Sequence, residues 1–166
     1  MATRAKRQAA SKVKKSKAGT AKAKAPKDTA PADLATVTIR SSEFIPAAPS
    51  AVYRAFVDAK TFSAVTGANA TFERREGGRF SAADGFITGR FVRLQNDRRI
   101  VQEWKTTEWP ADAPPSLLEL RFVPRENGTE VRMVQSQVPA GQASRYKRGW
   151  SALCWTPMKK YFHESR

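Results

Sequence analysis

The stretch ASRYKRGWSALCWTPMKKYFHE, residues 143–164, decides the fold. Trp150, Leu153, Cys154, Met158 and Tyr161 recur at helical spacing along one side of it, while Arg145, Arg148, Lys159 and Lys160 fall where they reach water. It is the one substantial helix in the chain, and it comes last. An antiparallel sheet followed by a single long amphipathic helix wraps around that helix, and the gap between them is the natural place for an apolar cavity. Pro157 lies well inside the helical pattern. It removes one backbone hydrogen bond and crowds the preceding turn, which predicts a bend between Leu153 and Pro157.

Upstream of this helix the period is two. Residues 36–44 alternate Val37 and Ile39 against Thr38 and Arg40, as a strand with one covered face does. Pro46 and Pro49 end it, and Pro49 opens a short helix carrying Val52, Tyr53, Phe56 and Val57, followed by another turn or two from Lys60 to Val65 that Gly67 stops. Short strands are expected at residues 71–73 and 79–82, joined through Glu76-Gly77-Gly78, and Asp84-Gly85 marks the next turn. Residues 86–94 and 98–106 form a hairpin with Ile87, Gly89 and Phe91 on one face and Ile100, Gln102 and Trp104 inward on its partner. Residues 109–115 read as a Pro-rich loop. Leu118, Leu120 and Phe122 then face inward on one strand, Asn127-Gly128 turns the chain, and Val131, Met133 and Gln135 face inward on the last.

The first 33 residues differ in kind. They hold ten Lys or Arg against two Asp, no aromatic residue and one Val, and so carry +8 of the chain's formal +15. Such a stretch buries too little apolar surface to offset its ordering entropy, so residues 1–33 are expected to be a disordered Lys/Ala-rich basic tail and residues 34–166 the folded domain. Lys12, Lys14, Lys15, Lys17, Lys22 and Lys24 have the pattern of an arm that neutralises phosphates on nucleic acid or another anionic surface. A solvated leader and an organellar import segment are the other readings of the same composition. No apolar run is long enough to span a membrane, and a lone Cys154 permits no internal disulfide, so a reducing, cytoplasmic setting is expected.

Several segments, taken in order, resemble the activator of Hsp 90 ATPase homologue family. They are Phe72-Glu73-Arg74-Arg75-Glu76-Gly77-Gly78-Arg79-Phe80, Asp84-Gly85-Phe86-Ile87-Thr88-Gly89, Arg99-Ile100-Val101-Gln102-Glu103-Trp104, residues 135–139, and residues 149–159 with their Gly-Trp-Ser-Ala-Leu-Cys-Trp-Thr-Pro-Met-Lys sequence. The resemblance implies the START-like helix-grip fold, an α+β architecture. In it a curved antiparallel sheet of six to seven strands wraps around a long C-terminal helix, with short helices after the first strand. A chaperone partner is also implied, which makes an interaction module the alternative to a binding domain.

The residues themselves are poor in catalytic chemistry. His163 is the only histidine and sits near the frayed end of the last helix, where it reads as a solvated surface residue. It is too far along that helix from Cys154 to share a metal with it. With no histidine to activate it, Cys154 reads as a small buried hydrophobe. Glu103 and Glu119 alternate out of phase with the apolar positions and belong on the solvent face near Lys105 and Arg121. No catalytic residue, metal or cofactor is therefore expected. The candidates for binding an unidentified small apolar ligand are Gln102 and Gln135, whose buried amides must find partners, with Phe91, Trp104, Leu120, Phe122, Met133, Trp150, Cys154 and Met158 as apolar wall. The competing reading is that these side chains simply fill a core.

Overall fold

The alternation along the first strand builds β1 (Thr36–Ile45), in which Ile39 and Ile45 are buried. This computed structural model describes residues 35–166, so the expected basic tail and its lysines, Lys12 to Lys24, lie outside the described residues. After β1 come α1 (Pro49–Arg54) and α2 (Ala59–Thr66). Pro49 starts α1 where its missing N–H costs nothing. Asp58 caps α2 by accepting from the Thr61 backbone N–H at 2.8 Å, and Gly67 ends it with φ 77°.

Six strands follow: β2 (Thr71–Phe72), β3 (Arg79–Ala82), β4 (Ile87–Gln95), β5 (Arg99–Thr106), β6 (Ser116–Arg125) and β7 (Gly128–Pro139). All pair antiparallel in one seven-stranded sheet ordered β1-β7-β6-β5-β4-β3-β2. Two irregularities interrupt the ladder. One lies between Phe91 and Arg93 and leaves Val92 exposed; the other, opposite the β7 residue Gln137 at φ 61°, separates Val37 from Ile39. Val37 lies beyond the second irregularity and stays 38% exposed, so only Ile39 of the expected pair is covered.

The inward faces are those expected for β5, β6 and β7. Ile100, Gln102 and Trp104, then Leu118, Leu120 and Phe122, then Val131, Met133 and Gln135 are all buried. Glu119 lies outside among arginines, bonded to Arg99 at 3.0 Å and to Arg121.

The last helical run departs from a regular α-helix where Pro157 predicted trouble. A 3₁₀ turn (Ala140–Gln142) leads into α3 (Ala143–Gly149), then a π-helical segment (Trp150–Trp155), then α4 (Thr156–Glu164) with Pro157 in its first turn. A π turn bonds i to i+5 and so shifts the phase of the buried stripe. The covered positions run Tyr146, Trp150, Trp155, Met158 and Phe162, with a step of five across the π segment. This corrects an expectation from helical spacing. Leu153 is 71% exposed rather than inward, and Trp155 takes the buried place. Lys159 reaches Glu43 at 2.6 Å and ties α4 to β1.

Candidate functional site

Side-chain size divides the space under the last helix into two halves. Where β1, β7 and β6 face it, Ile45, Leu118, Leu120, Val131, Met133 and Met158 fill the interior, all 1% exposed or less. Toward β3, β4 and β5 a gap remains, lined by small residues as well as by aromatic ones. Ala82 and Ala83 on the sheet side and Gly149 and Ala152 on the helix side leave a cavity of about 240 Å³.

Aromatic rings wall this cavity. Phe62 on α2, Phe72 on β2 and Phe80 on β3 form one side, with centroids 5.7 Å apart for Phe62–Phe72 and 6.0 Å for Phe72–Phe80. Trp104 on β5 and Trp150 at the start of the π segment form the other, 6.0 Å apart. Exposed Leu153 and half-buried Pro157 lie at the solvent side of the wall.

Two polar networks hold that wall in place. Gln135 accepts from the Trp150 indole Nε1–H at 2.8 Å and donates from its Nε2 to Ser116 Oγ at 2.9 Å; Ser116 in turn donates to the Trp104 carbonyl at 2.8 Å. The buried amide is thus consumed in positioning the two tryptophans. The second network centres on the Tyr146 hydroxyl. It accepts from Trp109 Nε1–H at 2.7 Å, donates to Gln142 Oε1 at 2.7 Å and lies 2.7 Å from Thr106 Oγ1. Since its one proton goes to Gln142, the Thr106 hydroxyl donates to it. Residues after β5 are thereby pinned to α3.

The expected binding residues separate accordingly. Gln102, Trp104, Trp150 and Cys154 are brought together on the wall. Gln135 stands behind it as a support, and Phe91 backs Phe80 at 5.3 Å. Phe122 packs 5.9 Å from Phe56, and Leu120, Met133 and Met158 are buried in the filled half. These six are structural rather than wall residues. Burial pushes the Cys154 thiol well above its ordinary range, and the nearby Glu43 carboxylate adds to the effect, so it stays a neutral thiol. Sequence reasoning missed Phe56, Phe62, Phe72, Phe80, Ile87 and Tyr146 on the wall. Phe72 and Phe80 give no signal beyond apolarity, since neither the two-residue β2 nor the four-residue β3 is long enough to display a period, and although Ile87 shares its expected face with Phe91, alternation alone does not say that this face borders a cavity. Among the described residues no three His, Cys, Asp or Glu side chains gather as a metal site would require, and no helix is long and apolar enough to cross a membrane.

A seven-stranded antiparallel sheet closed over a final helix, with an aromatic cavity between them, defines a helix-grip domain. The same fold recurs in a solved protein from Mesorhizobium loti, with TM-score 0.66 at 20% identity over 78% of this chain and 99% of that one. The chain belongs to the family described as Activator of Hsp90 ATPase homolog 1-like protein, whose model matches residues 46–163. It is 29% identical over 155 residues to the human "Activator of 90 kDa heat shock protein ATPase homolog 1", covering 93% of this chain and 46% of the relative. A Dictyostelium discoideum activator homolog is 30% identical, with 78% of this chain and 34% of the relative covered. The chain thus spans less than half the length of these relatives. An HSP90 activator from Plasmodium falciparum superposes with TM-score 0.64 at 28% identity, over 69% of this chain and 87% of that one.

Proposed function

We propose that the folded domain binds a small apolar or amphipathic molecule in the cavity between β3–β5 and the last helix, and performs no chemistry on it. The observation that supports this most is the unfilled volume of about 240 Å³ lined by phenylalanine and tryptophan rings. A cavity of 150 Å³ with an apolar lining accepts benzene, so this one has room for roughly ten non-hydrogen atoms. Among the described residues the wall offers no activated acid, base or nucleophile: Cys154 is neutral, and the other side-chain polar groups that these residues place on it are Thr66, Gln102, Tyr146 and the two indoles. The test is thermal unfolding of the full chain with and without propylbenzene. A guest that binds the folded state raises the midpoint in proportion to the logarithm of its concentration above Kd. Filling the space with Ala82→Leu abolishes that rise if this cavity is the site.

A second reading rests on the relatives. Those named as activators of the 90 kDa heat shock protein ATPase make a chaperone a candidate partner for this chain. Its test is whether the purified chain changes the ATP turnover of such a chaperone. A role for the basic tail at nucleic acid is a separate proposal. Binding to duplex DNA that weakens steeply with salt and vanishes on deleting residues 1–33 supports it, and unchanged affinity after truncation removes it.

A further inference from the structure

Under the last helix, Gln102 Oε1 is buried without a hydrogen bond, but it is fully enclosed and meets no guest. A different set of polar groups lies open on the opposite face of the sheet. There an open cleft of about 400 Å³ lies between strands β3–β5 and residues 111–115. Strand register sets its floor in two rows. Arg79, Arg90 and Glu103 stand abreast on β3, β4 and β5, and Ser81, Thr88 and Lys105 stand abreast in the next row. Phe80, Ala82 and Phe91 are buried on the inner face, so the alternation turns Arg79 and Arg90 outward. Lys105 fixes the rim. Its ammonium donates to the carbonyls of Ala111 at 3.0 Å and Ala113 at 2.7 Å, which holds the loop after β5 over the outer face.

Arg79 and Arg90 are cross-strand partners of like charge, a pairing that weakens a sheet unless an anion lies beside it. None of the ion pairs formed among the described residues includes Arg79, Arg90 or Glu103. Lys105 and Glu103 offset each other in charge, so the cleft carries two uncompensated guanidinium groups. We propose that this cleft binds the phosphoryl group of a small phosphate monoester, with Arg79 and Arg90 donating to its oxygens and the Thr88 hydroxyl donating beside them. A monoester carries close to two negative charges at neutral pH, which matches the two guanidinium groups, and their planar forks bond phosphoryl oxygens two at a time. Glu103, at the end of the arginine row, repels an anion seated there and lowers its affinity. The cleft and the aromatic cavity lie on opposite faces of the sheet, and neither needs the other occupied.

The test titrates the full chain with phenyl phosphate at neutral pH and low salt, followed by proton–nitrogen correlation spectra that resolve the arginine Nε–H groups. Benzenesulfonate serves as the singly charged analogue. Phenyl phosphate is expected to shift the Nε–H resonances of Arg79 and Arg90 and the amides of Thr88 and Gly89 saturably, and to bind roughly three- to tenfold more tightly than benzenesulfonate. Arg90→Gln is expected to weaken binding roughly three- to tenfold, less than a buried charged hydrogen bond would give, because the cleft is open to solvent. Arg79→Gln is expected to do the same, and carries the test should the first variant fold poorly. Glu103→Gln is expected to strengthen binding roughly two- to fivefold. Shifts spread over exposed arginines generally, equal affinity for the two anions, or unchanged affinity in the arginine variants overturns the site. Unchanged or weaker binding by Glu103→Gln overturns the seating of the anion in that row.

Discussion

Trp150 donates its indole N–H to Gln135 Oε1 across 2.8 Å, joining the first residue of the π segment to the inner face of β7. Fifteen positions apart in the chain, the two meet because β7 runs straight into the helical run that folds back over it. The bond holds Trp150 in the cavity wall, and through Ser116 the same amide reaches the backbone of Trp104 on the same side.

Severing that link should be costly. Gln135→Leu leaves the Trp150 N–H without its acceptor and Ser116 Oγ without its donor in a buried setting. The expected loss is about 1–3 kcal/mol in urea unfolding. It should be accompanied by exchange broadening of the Trp150 indole resonance. An unchanged midpoint would mean that the chain of bonds does not hold the wall.

The π segment predicts an unusual tolerance. Ser151 is exposed, and deleting it brings Trp150 and Trp155 four positions apart, the spacing of a regular helix. The variant should fold with the same aromatic residues buried, but with Leu153 and Cys154 displaced from the cavity and propylbenzene affinity lost. A variant that cannot fold would show that the π winding is required for more than the shape of the wall.

Gly89 should accept no side chain. A β-carbon there would stand 1.9 Å from the Glu103 carbonyl oxygen and 2.6 Å from Phe80 ring carbons. The carbonyl belongs to the paired strand and cannot retreat, so Gly89→Ala should destabilise by about 1–3 kcal/mol or more. Because Phe80 lines the cavity, guest affinity should fall as well. Near-wild-type urea unfolding would refute the close approach.

Acid should weaken the outer face of the sheet. Hydrogen bonds from Arg132, Ser42 and Arg125 lower the Glu130 carboxyl from its ordinary 4.5 to about 2. At Glu119 burial pushes upward, but hydrogen bonds from Arg99 and Arg121 more than offset it, and its pKa also falls. With folded values below the unfolded ones, this stabilisation is present above about pH 4.5 and is lost as pH falls toward 2. Urea midpoints between pH 6 and pH 2.5 should decline, and Glu130→Gln should flatten the decline. An equal slope in the variant would exclude Glu130 as a contributor.

How much of this was legible in the residues depends on element length. The strand pairs around Asn127-Gly128 and residues 95–97, each eight residues or longer, carry enough alternation to assign their inner faces, and those faces agree with the structure. Gln102 and Gln135 stood out as polar residues in apolar register, yet nothing in their sequence context distinguishes the satisfied amide from the orphaned one. That difference depends on Ser116 and Trp150, which only the fold brings alongside. Pro157 signalled an irregular helix, but the phase shift that exposes Leu153 and buries Trp155 follows from π winding, which no residue type announces. The cavity itself is volume left between side chains of α2, the sheet and the last helical run, which no pattern along the sequence states.

The most direct test is intermolecular NOE spectroscopy on the full chain saturated with propylbenzene. If the space beneath the last helix receives a guest, the ligand's methylene protons will show contacts to the Phe80 ring and to the indoles of Trp104 and Trp150. Contacts confined to exposed residues of the outer sheet face, or none at ligand saturation, would contradict a receptor role for this domain.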